Sequence, residues 1–292
     1  MDITKSSFDK RQSVQKNYDL IAEQYSNEFG TYIEDLDVYE KFEQQLVENA
    51  KILDLGAGSG RTYSYFNKQN YEYVGLDFSK KMKDCAYNLH GKFPYIVDDM
   101  VNVKRYFSNN SLDAVFAVYS LFHLPKNDFN NLFSDVYDIL KVDGLFLFTY
   151  QIGQGEDMTD EPYLNEKGKN SLYMCYHTDE EINDLLHYFS YTELFKKQKI
   201  EMSPSAINSN SVTTVFILAK KIKWSYWDWG THNRICVNGD GAFWQPSNWQ
   251  YKIKTYEMIK FVSLFQLERV EGIEPSLPGR KHGILPLNYT RN

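Results

Sequence analysis

The segment KILDLGAGSGR, residues 51–61, sets three glycines within five positions, directly behind a short apolar run and an aspartate. Glycines at a strand-to-helix turn permit positive φ and let a ligand approach the backbone without meeting a Cβ atom. KILDL is typical of a buried strand, RTYSYFNKQ after the glycines predicts a short helix, and YEYVGLD predicts a second strand. The segment therefore predicts a βαβ unit with a ligand at its glycine turn.

The same alternation continues down the chain. Further strands are predicted at PYIVD (94–98), LDAVFAV (112–118) and GLFLFTY (144–150). Helices are indicated between them by the stripes Met82, Cys85, Ala86, Leu89 and Phe129, Leu132, Phe133, Val136, Leu140, with Ser79 as a cap. Thr178 and Glu181 predict a capping box. YTELFKKQKIEM and SVTTVFILAKK, which end at 221, predict an antiparallel hairpin, so the whole is an α/β fold with an open, mostly parallel sheet covered by helices on both faces.

Three regions flank this pattern. Residues 1–49 are predicted to form helices from Val14 to Asn49, ahead of a domain at 50–221. Within that domain the long polar connection 151–175 is typical of a lid or substrate loop. All five tryptophans lie in the tail 222–292. The end of the tail, VEGIEPSLPGRKHGILPLNYTR, resembles a peptide found where reading frames run through a transfer-RNA gene, so we expect the tail to be non-catalytic read-through.

Composition limits the class of partner. The net charge of -7 disfavours a nucleic-acid partner, because that binding depends on Lys and Arg neutralising phosphates. The N-terminus is polar, and no run approaches the ~18 apolar residues that a membrane span needs. The three cysteines, Cys85, Cys175 and Cys236, and the six histidines show no metal-ligand spacing. We expect a cytoplasmic protein with reduced thiols and no metal, and its oligomeric state stays open.

The spacing of the glycine loop separates two kinds of nucleotide cofactor. Gly56, Gly58 and Gly60 are spaced by two, and Arg61 stands where a dinucleotide fingerprint of the form G-x-G-x-x-G has its third glycine. Asp54 would repel a pyrophosphate but would attract a cation. S-adenosylmethionine carries a sulfonium and an ammonium and no phosphate, so it suits this loop. The alternative is a tight turn without ligand, in which Asp54 only caps the backbone.

Further carboxylates end neighbouring strands at the same edge of the predicted sheet. Asp77 ends the second strand and can accept hydrogen bonds from both ribose hydroxyls. Asp98 and Asp99 end the third strand, where an acid can accept from the adenine amino group while Met100 packs on the ring. Asp99 is favoured over Asp98, although paired acids at a strand end are also typical of a solvated turn.

Taken together, these motifs resemble the class I S-adenosylmethionine-dependent methyltransferases. LDLGAGSG is similar to the family's D/E-x-G-x-G-x-G loop, GLDFS to its second-strand acid, VDDM to its adenine-contacting acid, and LFHLP to the segment after its fourth strand. The resemblance covers about residues 14–220 and departs at KVDG, where Pro-Gly-Gly is common. It implies a Rossmann-like sheet of seven strands, mostly parallel with an antiparallel last strand. It also implies that Ala57, Phe78 and Tyr119 belong to the cofactor site.

The resemblance also suggests residues for the reaction. YDLIAEQY, residues 18–25, is similar to the N-terminal helix that covers the cofactor in many small-molecule members, which implies roles for Tyr18 and Tyr25. His123 follows a central strand and is a candidate general base, because a histidine with a pKa near neutrality can take a proton. A structural role for His123, and core packing for the tyrosines, are the alternatives.

The expected activity is methyl transfer from S-adenosylmethionine to a small-molecule acceptor by in-line displacement. Two rivals stay open at this point. One is a protein that binds the cofactor without catalysis, and the other is an NAD-dependent dehydrogenase, which Arg61 and Asp54 disfavour. The residue types of the lid and of the cover helix do not identify the acceptor.

Overall fold

The computed structural model describes residues 6–67, 70–159, 164, 172–202, 211–223, 235–236 and 243–244. The chain divides into two compact units, Met1–Lys223 and Trp224–Asn292. In the second unit the described residues form two short antiparallel strands, Ile235–Cys236 and Phe243–Trp244. Residues 224–234, 237–242 and 245–292 of the predicted tail lie outside the described residues. The candidate site belongs to the first unit.

The first unit alternates helices and strands. Its helices are α1 (Ser7–Phe29), α2 (Leu36–Glu43), α3 (Arg61–Phe66), α4 (Lys80–His90), α5 (Lys126–Ile139) and α6 (Asp179–Tyr188), with 3-10 turns at Met100–Arg105 and Leu121–His123. Its strands are β1 (Lys51–Leu55), β2 (Glu72–Asp77), β3 (Tyr95–Val97), β4 (Leu112–Ala117), β5 (Leu140–Gln151), β6 (Glu156–Thr159), β7 (Leu172–Cys175), β8 (Tyr191–Met202) and β9 (Ser211–Lys221).

The central sheet has seven strands in the order β3-β2-β1-β4-β5-β9-β8. The first five of these run parallel, and β9 pairs antiparallel with β5 on one side and with β8 on the other. The order reverses between β1 and β4, and open α/β sheets bind ligands at the carboxyl edge beside such a reversal. The predicted fold class is therefore confirmed, including the β8–β9 pair and the antiparallel last strand.

Both faces of the sheet are buried, as the near-continuous apolar strands predict. One core lies between the sheet and α5 and includes Phe129, Phe133 and Val136. The opposite core packs Phe42 of α2 and Phe66 of α3 against Phe116 of β4. Burying apolar surface on both faces leaves the carboxyl edge as the place where polar side chains can gather.

Several local signals in the sequence act as predicted. The Ser79 side chain accepts from the backbone N–H of Met82 and caps α4. Thr178 and Glu181 form a reciprocal capping box at the start of α6. The apolar stripe of α5 is buried along its whole length.

The N-terminal helices differ from their predicted bounds, Val14 to Asn49. Helix α1 begins at Ser7, because the Ser6 hydroxyl accepts from the N–H of Asp9 and caps the helix earlier. It ends at Phe29, and Gly30 to Asp35 separate it from α2. Apolar spacing alone did not reveal this break.

The stripe predicted for α4 is only half correct. Met82 and Ala86 are buried, whereas Cys85 is half-buried and Leu89 is exposed. Leu89 is the second-last of the eleven residues of the helix, so the buried part of the stripe lies in its first two turns.

The connection predicted as a lid contains structure of its own. Strands β6 and β7 pair antiparallel, with Glu156 opposite Cys175. Residues 160–163 and 165–171 of the connection lie outside the described residues. Val14 and Ile21 of α1 share a small core with Leu172 and Tyr173 of β7. Helix α1 and strand β7 are thus packed against each other.

Candidate functional site

The glycine loop follows β1 and adopts left-handed backbone at each of its three glycines. Gly56, Gly58 and Gly60 have φ of +83°, +51° and +81°. A Cβ atom on Gly56 would lie 2.3 Å from the Cβ of Ser120, so glycine is required where the loop meets the segment after β4. A Cβ on Gly60 would crowd His90, which makes Gly60 a packing residue rather than part of the cleft wall.

The carboxylate of Asp77 ties the loop to the start of α4. Its Oδ2 accepts from the N–H of Gly58 at 3.0 Å, and its Oδ1 accepts from the N–H of Ser79 at 2.8 Å. Burial raises the pKa of Asp77 to about 6, although these two backbone bonds oppose the shift. Each oxygen retains a lone pair for a further donor, because a carboxylate has about four acceptor sites.

Asp54 lies beneath the loop rather than in the cleft. It is buried, it is absent from the cleft wall, and its Oδ2 accepts from the hydroxyl of Tyr73 at 2.5 Å. Burial raises the pKa of Asp54 to about 7. Ala57, which is also predicted for the cofactor site, is likewise buried and does not line the cleft. The structure therefore places Asp54 outside the cleft wall, with Tyr73 as its hydrogen-bond partner.

Only one of the two adjacent acids after β3 faces the cleft. Asp98 turns toward the 3-10 turn, where it accepts from Asn102 at 2.9 Å and from the hydroxyl of Tyr106 at 2.7 Å. Asp99 caps the same turn through the N–H of Val101 and lines the cleft together with Met100.

Helix α1 lies over the cleft with one face. Arg11, Tyr18 and Tyr25 recur every seven residues, so they share this face, and all three line the cleft. Gln15 donates to the carbonyl of Phe78 at 2.6 Å, and the hydroxyl of Ser79 donates to Asp19 at 2.6 Å. The rings of Tyr18 and Tyr25 meet edge to face with their centroids 5.9 Å apart.

His123 is held between the cover helix and the lid. Its Nδ1 lies 2.9 Å from the carbonyl oxygen of Tyr173, and its Nε2 lies 2.8 Å from the hydroxyl of Tyr18. A carbonyl only accepts, so Nδ1 carries the proton, and Nε2 of the neutral ring accepts from Tyr18. Burial lowers the pKa of His123 to about 4, against the bond to Tyr173, so the ring is neutral at physiological pH.

Tyr119 has a strained backbone and a fixed hydroxyl. Its φ is +60°, which is uncommon for a bulky residue, and its N–H donates to Thr149 Oγ1 at 2.7 Å. Its hydroxyl lies 2.7 Å from Asp35 Oδ2, and Lys199 donates to the hydroxyl at 3.2 Å. Burial, followed by the bond to Asp35, raises the pKa of Tyr119, so the ring is a neutral wall of the cleft.

The predicted residues meet in one cleft at the carboxyl edge of the sheet. Its wall contains most of the predicted set: Tyr18, Tyr25, Gly56, Gly58, Asp77, Phe78, Asp99, Met100, Tyr119 and His123. Asp54, Ala57 and Gly60 are not in the wall. Sequence reasoning missed four wall residues, Arg11, Met82, Ser120 and Leu124. Arg11 could have been found from the sequence, because it lies seven positions before Tyr18 and therefore on the same helix face.

No described helix is long and apolar enough to cross a membrane. No group of three or more His, Cys, Asp or Glu side chains among the described residues is arranged to hold a metal ion.

Comparison with known proteins identifies similar domains. Residues 53–148 match a family model described as a methyltransferase domain. The phosphoethanolamine N-methyltransferase of Plasmodium falciparum (isolate 3D7) is 28% identical over 156 residues, which are 52% of this chain and 58% of that protein. The chain spans about half the length of the curated relatives it matches.

Solved structures share the fold at low sequence identity. A methyltransferase from Methanosarcina mazei described as SAM-dependent has a TM-score of 0.54 and 19% identity, over 64% of this chain and 99% of that one. The 1,6-didemethyltoxoflavin-N1-methyltransferase of Burkholderia thailandensis, solved with 1,6-didemethyltoxoflavin and S-adenosylhomocysteine, has a TM-score of 0.52 and 12% identity, over 76% of this chain and 93% of that one.

Proposed function

This chain carries a class I S-adenosylmethionine-dependent methyltransferase domain, and from that premise we propose that it transfers a methyl group from S-adenosylmethionine to a small-molecule acceptor. One observation carries the proposal: the glycine loop, Asp77 and Asp99 meet at one sheet edge, and a helix with two tyrosines covers them. When bound, the cofactor supplies a methyl group activated by a sulfonium, which passes in line to the acceptor. The protein's task is then mainly alignment.

The residues present fit an adenosine cofactor. Asp77 keeps a free acceptor site on each oxygen, which suits the two hydroxyls of a ribose. Asp99 and Met100 lie together in the wall, which suits an adenine amino group and ring. Gly56 and Gly58 line the same cleft, so part of its wall is backbone without a side chain.

The hydrogen bonds of the loop argue against a pyrophosphate. Binding of a dinucleotide phosphate needs backbone N–H groups that point at the ligand. Here the N–H groups of Gly56 and Ala57 donate to the carbonyl of Leu76, and that of Gly58 donates to Asp77. With these donors engaged and carboxylates nearby, the loop favours a cationic nucleoside and disfavours the dehydrogenase alternative.

Tyr18 and His123 are the residues that we propose for proton transfer. An acceptor that must lose a proton gives it to the Tyr18 oxygen, while the Tyr18 proton moves to Nε2 of His123. The 2.8 Å separation and the acceptor state of Nε2 support this relay. Tyr25 and Tyr119 complete an aromatic wall around the reacting group.

A small metabolite is the acceptor class that best suits the covered cleft. Helix α1 closes one side of it, which leaves little room for a polymer, and the net charge of -7 disfavours a nucleic acid. The Plasmodium falciparum relative is named for a small molecule, phosphoethanolamine. We also propose a cytoplasmic location, which suits the free thiols of Cys85 and Cys175.

Titration calorimetry of the full chain tests the cofactor first. We expect saturable heat with S-adenosylhomocysteine and none with NAD. The reverse result would overturn the proposal in favour of a dehydrogenase. Incubation with S-adenosylmethionine labelled in the methyl group and fractions of a metabolite extract then tests catalysis. Heat with S-adenosylhomocysteine but no labelled product from any fraction would favour a non-catalytic binding protein.

A further inference from the structure

Arg11 connects helix α1 to the adenine end of the cleft, by which we mean the end formed by Asp99 and Met100. Its Nε donates to Asp99 Oδ2 at 2.7 Å, and its Nη1 contacts Asp128 at the start of α5. The side chains of Arg11 and Asp99 are only 11% and 13% exposed, so the pair is shielded from solvent. Salt screens a partly buried ion pair much less than a surface pair, so the attraction between Arg11 and Asp99 persists at physiological ionic strength.

The contact restricts which way the Asp99 carboxylate points. Its Oδ1 accepts from the N–H of Val101 and its Oδ2 accepts from Arg11. A carboxylate has about four acceptor sites, so each oxygen can still take one more donor, but the plane of the group is set. Arg11 itself also lines the cleft, so the same guanidinium lies beside the space for the ligand.

We propose that Arg11 is a positioning residue that makes the cleft selective for adenine over hypoxanthine. The inference rests on the proposed function, in which Asp99 accepts from the adenine amino group. An ionised carboxylate only accepts, so it favours a base with an amino donor and disfavours one with a carbonyl oxygen at the same position. The selectivity depends on how well the carboxylate is oriented, and Arg11 orients it from helix α1.

The ion pair between Lys10 and Glu156 also attaches α1 to the domain, but it lies outside the cleft. Lys10 Nζ lies 2.5 Å from Glu156 and pins the same helix to strand β6. Neither Lys10 nor Glu156 lines the cleft, and neither contacts Asp99. Lys10→Met therefore removes one positive charge and the ion pair with Glu156 from α1, but leaves the contacts of Asp99 intact. It is the matched control.

The experiment measures selectivity rather than affinity alone. Calorimetry or competition binding gives the ratio of dissociation constants for S-inosylhomocysteine and S-adenosylhomocysteine with the full chain. A hydrogen bond to a charged group predicts a wild-type preference for the adenine compound of about 10- to 100-fold. We expect Arg11→Met to reduce this ratio at least about threefold, and Lys10→Met to leave it unchanged even if both affinities fall.

The possible outcomes separate the proposals. An Arg11→Met protein with the wild-type ratio would overturn the positioning role, as would an equal loss of selectivity in Lys10→Met. Failure of the wild-type chain to bind either compound would overturn the proposed function, and this inference with it. Binding of both compounds without preference would overturn the role of Asp99 and the inference about Arg11, and would leave the proposed function standing.

Two further variants keep the test decisive if Arg11→Met does not fold. Arg11→Lys keeps the charge, but its single ammonium lacks the planar fork that reaches two carboxylates, so we expect reduced selectivity. Asp128→Asn weakens the other contact of Arg11 and leaves the bond to Asp99, so we expect selectivity within about twofold of wild type. The opposite ranking of these two variants would contradict the proposal.

Discussion

The hydroxyl of Tyr18 lies 2.8 Å from Nε2 of His123, and the opposite ring nitrogen lies 2.9 Å from the carbonyl of Tyr173. Three elements therefore determine the state of one imidazole: the cover helix, the turn after β4 and a strand of the lid. The lid carbonyl fixes the tautomer, and this tautomer allows Tyr18 to donate. The contacts that hold His123 therefore come from segments that lie far apart in the sequence.

Replacing Tyr18 with Phe should slow turnover and leave cofactor binding intact. The substitution keeps the ring but removes the hydroxyl that bonds to His123. General acid–base contributions of ~10²–10⁴-fold set the upper range for the loss in kcat, if the acceptor carries a proton. Single-turnover kinetics with labelled cofactor measures it. Tyr32→Phe, at an exposed position after α1, is the control, and equal rates in all three proteins would exclude the relay.

The pH dependence of kcat should reflect the lowered pKa of His123. A free histidine loses its basic form below its ordinary pKa of about 6.5. Burial lowers the pKa of His123 to about 4, so its neutral form persists well below neutrality. At saturating cofactor, we expect kcat to stay level from pH 8 down to about pH 5 and to fall only below that. A midpoint near 6.5 that disappears in His123→Asn would contradict the buried neutral state.

Replacing Gly56 with Ala should strongly weaken cofactor binding. The new Cβ would lie 2.3 Å from Ser120, at a φ of +83°, so either the loop or the segment after β4 must move. Gly91→Ala is the matched control, because φ is +75° there and nothing lies within 4 Å of the added atom. Both variants carry backbone strain of ~1–3 kcal/mol. Only Gly56→Ala should lose affinity for S-adenosylhomocysteine, by about 100-fold or more, in calorimetry.

Asp54 should make the stability of the protein depend on pH. Burial raises its pKa to about 7, above its unfolded value of 3.8. The folded state thus holds this proton more tightly, and the stabilisation is complete below about pH 4 and is lost as the pH rises through about 7. We expect the free energy of unfolding of wild type, relative to Asp54→Asn, to fall over this interval by on the order of 3 kcal/mol.

Urea unfolding at several pH values measures that difference. Comparison with Asp54→Asn cancels the buried histidines, whose pKa values are lowered and which act in the opposite direction as the pH falls. Asn keeps an acceptor for the hydroxyl of Tyr73, so the fold should persist. A constant difference between the two proteins from pH 4 to pH 8 would show that Asp54 is not held in its acidic form.

Local pattern was enough to predict the sheet and its ligand edge. Caps such as Thr178 with Glu181 act over three residues, and the stripe of α5 repeats every three or four, so both can be read along the chain. Once the βαβ unit is recognised, the positions of the glycine loop and of Asp77 at the ends of its two strands can be predicted from the sequence. The break after Phe29 escaped this reasoning, because the apolar positions on either side of it keep a similar spacing.

Contacts between residues far apart in the sequence could not be predicted from sequence pattern and are seen only in the tertiary structure. Asp98 and Asp99 are adjacent and chemically identical, and the direction of the chain after β3 decides which one faces the cleft. Arg11 meets Asp99 across 88 residues, and His123 meets Tyr173 across 50. Such pairs depend on the angles at which α1 and the β6–β7 hairpin pack. Side-chain packing sets those angles, and it leaves no period in the sequence.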